Sequence, residues 1–158
     1  MNGLRILAVD DDDFIHAMLH GMLEDRKEGA LRWPYHSSLS LVDGLDALQS
    51  FNPDIVLLDL HFRNQEDTTA RTAVASISAF SEKAAVIIMT GYSNPELHDE
   101  CVANGALDFI DKNTLFNLGT QCPNCHKEIS LLQVAISSLK ERCYNAARQW
   151  SVKHYAKP

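Results

Sequence analysis

Three stretches, "LRILAVD" (4–10), "PDIVLLDL" (53–60) and "AAVIIMTG" (84–91), are unbroken apolar runs only a few residues long. They are too short for helices and lack the polar alternation of a half-exposed strand. A strand of this kind needs cover on both faces, as inside a parallel sheet flanked by helices. The segments between them supply the cover. "FIHAMLHGMLEDR" (14–26) repeats its apolar residues Ile15, Met18, Leu19, Met22 and Leu23 at helical spacing. "LSLVDGLDALQSF" (39–51) and "TTARTAVASISAF" (68–80) read as helices, the first weakened by Gly44. "NPELHDECVANG" (94–105) carries Asn94 as a cap, Pro95 in the first turn and Gly105 past the end.

Two further strands complete the alternation. "ALRWPYHSS" (30–38) is a weaker strand that Pro34 assigns to an edge, and "ALDFIDK" (106–112) is a short final one. The segment 113–127 reads as the one long irregular stretch, 128–150 as a long amphipathic helix, and 151–158 as a frayed tail. Five strands and five helices in 158 residues fit one α/β domain, 1–158, of the flavodoxin-like doubly wound kind. The expected sheet is five-stranded and parallel, ordered 2-1-3-4-5, with helices on both faces.

Such sheets bind ligands outside the carboxyl ends of their strands. There the chain places Asp10 and Asp11 after the first strand, Asp59 after the third, Thr90 after the fourth and Lys112 after the fifth. Three carboxylates brought together do not all stay ionised without a cation, and hard oxygen ligands suit Mg²⁺. A lysine and a hydroxyl opposite them can hold phosphoryl oxygens. The pocket is thus expected to seat a phosphate beside Mg²⁺, with one aspartate as nucleophile. Asp12 and Asp13, the other half of the "DDDD" run, suit the start of the following helix. His16 and His20 lie four apart on that helix, a spacing that can ligate a metal, but they read as surface or packing residues.

The motifs "VDD" (9–11), "DIVLLDL" ending on Asp59, "MTG" with Thr90, and "NGALDFIDK" with Phe109 and Lys112 resemble the receiver domain of two-component response regulators, CheY-like proteins. The resemblance runs over about residues 4–112 plus the last helix. It implies that Asp59 takes a phosphoryl group from a sensor histidine kinase or histidine phosphotransfer protein. It implies Mg²⁺ held by Asp10, Asp11, Asp59 and the backbone carbonyl of His61. Thr90 and Lys112 would bind phosphoryl oxygens, and Phe109 would be the switch aromatic. A downstream protein would dock on the face of the fourth helix, fifth strand and last helix. The protein would be a switch rather than an enzyme, promoting only its own phosphorylation and dephosphorylation.

The chain departs from the family in three places. "LHFRNQEDTTA" (60–70) lacks the usual Pro–Gly-type turn, and His61 and Tyr92 put bulk where an attacking water would approach, so slow dephosphorylation is expected. Asn113 stands where many receivers have proline. In "CPNCHK" (122–127), Cys122, Cys125 and His126 form a zinc half-site spacing, a possible redox pair, or an inert loop; Cys101, Cys143 and the histidines are the candidates to complete a site. A pseudo-receiver binding module built on this loop is therefore an alternative. A haloacid-dehalogenase-type phosphohydrolase is disfavoured, since it needs an acid where His61 stands.

Net charge of −7 argues against nucleic-acid or anionic-membrane binding. With neither a signal peptide nor a membrane span in the sequence, a cytoplasmic location is expected. The chain ends soon after the last helix, so a stand-alone receiver is expected, with the stripe Leu132, Ile136, Leu139, Cys143 and Ala147 free to extend the docking face or form a homodimer.

Overall fold

The computed structural model describes residues 3–23, 33–63, 70–91, 95–117 and 127–155. Strands β1 (Ile6–Val9), β2 (Tyr35–Ser38), β3 (Ile55–Leu58), β4 (Ala85–Thr90) and β5 (Ala106–Asp111) form one parallel sheet ordered β2-β1-β3-β4-β5. Helices α1 (Asp13–Leu23), α2 (Leu41–Ser50), α3 (Ala70–Ser81), α4 (Pro95–Ala103), α5 (Lys112–Asn117) and α6 (Lys127–Tyr155) surround it. The expected fold and strand order are those observed, and Pro34 lies just before β2, an edge strand.

The apolar runs are continuous because alternate residues serve opposite cores. Ile6, Ala8, Ile55, Leu57, Ala85, Ile87 and Met89 face α1 and α6, where Leu19, Leu23, Leu139 and Cys143 are buried. Leu7, Val9, Val56, Leu58, Val86 and Ile88 face α2 and α3, with Leu48, Ile77 and Phe80. Each large aliphatic side chain so buried contributes about 1.5–3 kcal/mol. Gly44 permits α2 to close on β1, since a Cβ there would meet Val9 Cγ2 at 2.8 Å. Gly105, at φ +108°, terminates the α4 segment in a conformation that suits glycine.

Three expectations change. Residues 112–117 are helical, because Asp111 caps the turn: its carboxylate accepts from Asn113 N at 2.8 Å and from Thr114 Oγ1 at 3.1 Å. Lys112 therefore begins α5 and does not end β5, which gives six helices among the described residues. The tail is helical to Tyr155, where His154 stacks on Trp150 at 4.3 Å. Finally, the stripe from Ile136 to Ala147 packs into the domain's own core, so it is not free for a partner; the Leu132 side chain lies outside the described ones.

Candidate functional site

The carboxyl ends of β1 and β3 are adjacent, and they carry Asp10 and Asp59 into one buried pocket. Asp10 N bonds Ser38 O and Asp59 N bonds Val9 O, which fixes both backbones by extending the ladder one residue past the strands. Past Asp10 the chain turns. Asp10 Oδ1 accepts from Asp12 N at 3.0 Å, and Asp12 Oδ1 accepts from Phe14 N at 2.9 Å, so Asp12 caps α1. The aspartate run thus divides between the pocket and the helix start, as expected.

Lys112 Nζ lies 2.6 Å from Asp10 Oδ2 and 2.6 Å from Asp59 Oδ2. One ammonium spans two carboxylates. Burial pushes the Asp10 carboxyl above its ordinary range; Lys112 opposes that shift, and the Asp59 charge adds to it. Asp59 Oδ1 is held by Leu60 N at 2.7 Å. Asp11 joins these two, and one carboxylate oxygen from each of the three lies within 4.8 Å of the others.

These residues fit a hard cation. Asp10 and Asp59 are buried, Asp11 is half-buried beside them, and carboxylate oxygens are the donors Mg²⁺ prefers. Asp10, Asp11 and Asp59 would hold the ion.

Thr90 closes β4 and is half-buried. Its Oγ1 lies 3.4 Å from His61 Nδ1, which lays the imidazole across this side of the pocket. Asn113 Nδ2 donates to Gly91 O at 3.1 Å and ties the loop after Thr90 to the start of α5. No cis peptide occurs among the described residues, so Lys112–Asn113 is trans. Phe109 packs on the α2–α3 core face and stacks on His98 of α4, the ring centroids 4.0 Å apart.

His16 is a packing residue, and it also serves the pocket. Its Nε2 lies 2.8 Å from Asp10 O and its Nδ1 2.7 Å from Tyr35 Oη, so α1 and β2 together steady the first acid. Burial pushes the Tyr35 phenol up, which keeps it a neutral partner. Both ring nitrogens are engaged, which rules out His16 as a metal ligand beside His20. No short-range signal marks the His16–Tyr35 contact, since it spans 19 residues.

Cys122, Cys125, His126 and Tyr92 lie outside the described residues. Cys101 and Cys143 are buried in the two opposite cores, so they cannot meet in one metal site. Burial also pushes their thiols up, to about 11 and about 12.

The acidic triad and the bridging lysine stand at the carboxyl ends of a doubly wound parallel sheet, where open α/β sheets bind their ligands. The chain belongs to the response regulator receiver domain family, whose model matches residues 6–118. It is 27% identical over 142 residues to the regulatory protein AtoC of Escherichia coli, covering 85% of this chain and 29% of that protein. The chain thus spans under a third of that relative's length. Among solved structures it resembles the signal receiver domain of a putative LuxO repressor protein from Vibrio parahaemolyticus (TM-score 0.66, 15% identity, 99% and 98% of the two chains). It also resembles a Burkholderia pseudomallei response regulator with a phosphorylated aspartic acid and a calcium ion (TM-score 0.58, 18% identity, 88% and 72%). Receiver domains bind Mg²⁺ at an acidic pocket and act as phosphorylation-dependent signalling modules with histidine kinases or phosphotransfer proteins and downstream targets.

Proposed function

We propose that this domain is a phosphorylation-activated switch in which Asp59 is the phospho-acceptor. The observation that carries the reading is Lys112 Nζ, 2.6 Å from Asp59 Oδ2 and from Asp10 Oδ2. In this reading Asp59 Oδ2 attacks the phosphorus of a partner's phosphohistidine. The P–N bond breaks, an acyl phosphate forms on Asp59, and the imidazole leaves with its electron pair. Mg²⁺, when bound, offsets the charge of the acids and the phosphoryl group. Lys112 and the Thr90 hydroxyl would donate to phosphoryl oxygens, and Asp10, Asp11, Asp59 and the His61 carbonyl would hold the cation. Phe109 then repacks between the core and His98 and alters the face formed by α4, β5 and α6, where a downstream protein docks. Exposed Val102 on α4, with Tyr144, Val152 and Tyr155 on α6, would supply apolar contacts for that protein or for a second copy. No described helix is long and apolar enough to cross a membrane, which is compatible with a cytoplasmic setting.

Incubation with Mg²⁺ and acetyl phosphate, or with phosphoramidate as an N–P donor, tests the proposal. Stoichiometric labelling in the native protein that is lost in Asp59→Asn and on chelation is the expected result. Sustained release of phosphate would instead mark a phosphohydrolase, and absence of labelling would leave a pseudo-receiver.

A further inference from the structure

β5 is an edge strand, so among the described residues no further strand meets its outer backbone groups. In a parallel strand the N–H and C=O of one residue point to the same side. At Phe109 both are met by side chains. Its N–H donates to Asp108 Oδ1 at 2.8 Å, and its C=O accepts from Arg142 Nη1 at 2.9 Å. Arg142 Nη1 also lies 2.8 Å from each Asp108 carboxylate oxygen. Residues 108, 109 and 142 therefore close a ring of bonds in which α6 stands in for a missing strand.

The position of this ring matters. Phe109 is three residues before Lys112, and Lys112 bridges Asp10 and Asp59. α6, on the far side of the ring, is held along its C-terminal half by contacts that involve both tryptophans. Trp33 meets Tyr144 edge-on at 5.1 Å, and Trp150 Nε1 donates to Ser81 O at 2.6 Å. The chain has only these two tryptophans, so its intrinsic emission reports how α6 is seated.

We propose that Arg142 is a positioning residue that couples the acid pocket to α6: it grips the Phe109 backbone, so a displacement of Lys112 when Asp59 gains a phosphoryl group travels along β5 into the last helix. This rests on the receiver reading of Asp59. The grip is directional because it holds a backbone carbonyl and a carboxylate at once, whereas an exposed ion pair by itself contributes little.

The full chain is titrated with beryllofluoride and Mg²⁺ while tryptophan emission is followed, and acetyl phosphate labelling is measured in parallel. The native protein is expected to change its emission on saturation. Arg142→Gln should label at Asp59 as before but lose the emission change, and Arg142→Lys, which can still donate to Phe109 O, should keep part of it. A merely structural role would lower the melting temperature without separating labelling from emission. Asp108→Asn serves as the second variant should Arg142→Gln not fold. An undiminished emission change in a labelled Arg142→Gln or Asp108→Asn protein overturns the coupling, as does a native protein that labels without any change. Failure of the native protein to label defeats the receiver reading, and the coupling with it.

Discussion

Replacing Lys112 by Met removes the ammonium but keeps much of the stem. In the native pocket the lysine side chain is 14% exposed, and those of Asp10 and Asp59 are 1% and 5% exposed. These contacts are therefore little screened by solvent. Removing one partner from a buried charge cluster costs about 3–5 kcal/mol, because the remaining charges are left uncompensated. The acids can partly escape by taking up a proton, so the lower end, about 3 kcal/mol, is the expectation at neutral pH without divalent cations. For a domain of this size that corresponds to roughly 6–12 °C in Tm.

The pH dependence distinguishes this cause from lost packing. The Asp10 carboxyl is already raised above 3.8 by burial, and Lys112 holds it down. A raised acid binds its proton more tightly when folded. Its contribution to stability is full below 3.8 and is lost as pH rises through its folded value. Loss of Lys112 pushes that value further up and widens the window. Between pH 7 and pH 5 the variant should regain up to about 1.4 kcal/mol per pH unit relative to the native protein. Mg²⁺ at about 100 times its Kd should stabilise by about 2.7 kcal/mol, and the Lys112→Met pocket should bind it more tightly than the native one. Urea unfolding at both pH values, with and without Mg²⁺, measures all of this. A deficit unchanged by pH and by Mg²⁺ would refute the electrostatic account and point to packing.

Two further expectations follow from the geometry. On the proposed reading, in which the imidazole lying by Thr90 would shield an acyl phosphate on Asp59, His61→Asn should speed loss of phosphate from labelled Asp59 by about tenfold, or about 1.4 kcal/mol off the barrier; a hydrolysis time course in which the rate does not rise would exclude the shield. Gly44→Ala should lower unfolding free energy by about 1–3 kcal/mol in spite of better helix propensity, since the new methyl would meet Val9 at 2.8 and 2.9 Å; an unchanged denaturation midpoint would show that β1 yields freely.

Most of the fold is legible because its strands and helices announce themselves locally. Residues 6–9, 55–58 and 85–90 are too apolar to be anything but doubly covered strands, and the helical spacing of Ile15, Leu19, Met22 and Leu23 needs no partner to be read. α5 escaped because a six-residue helix has no room for a periodic face; only the Asp111 cap betrays it, and an aspartate there serves equally well as the end of a strand. The far end of α6 escaped for a related reason. "SVKHY" is polar, and its helix is supported by stacking on Trp150, which no spacing rule weighs.

By itself the sequence determined the alternation of strands and helices, hence a parallel sheet, and with it the strand ends at which Asp10, Asp11, Asp59 and Thr90 had to lie. Periodicity and strand length are local properties, so the chain states them residue by residue. The tertiary structure alone decided that one lysine bridges Asp10 and Asp59, that His16 and Tyr35 brace Asp10 from behind, and that Arg142 completes the edge of β5. Those contacts join residues from 19 positions apart (His16–Tyr35) to 102 apart (Lys112–Asp10), except for His16 and Asp10, which are 6 apart, and they depend on ångström-scale approach and on desolvation. Neither quantity exists until the sheet has closed and water has left the pocket.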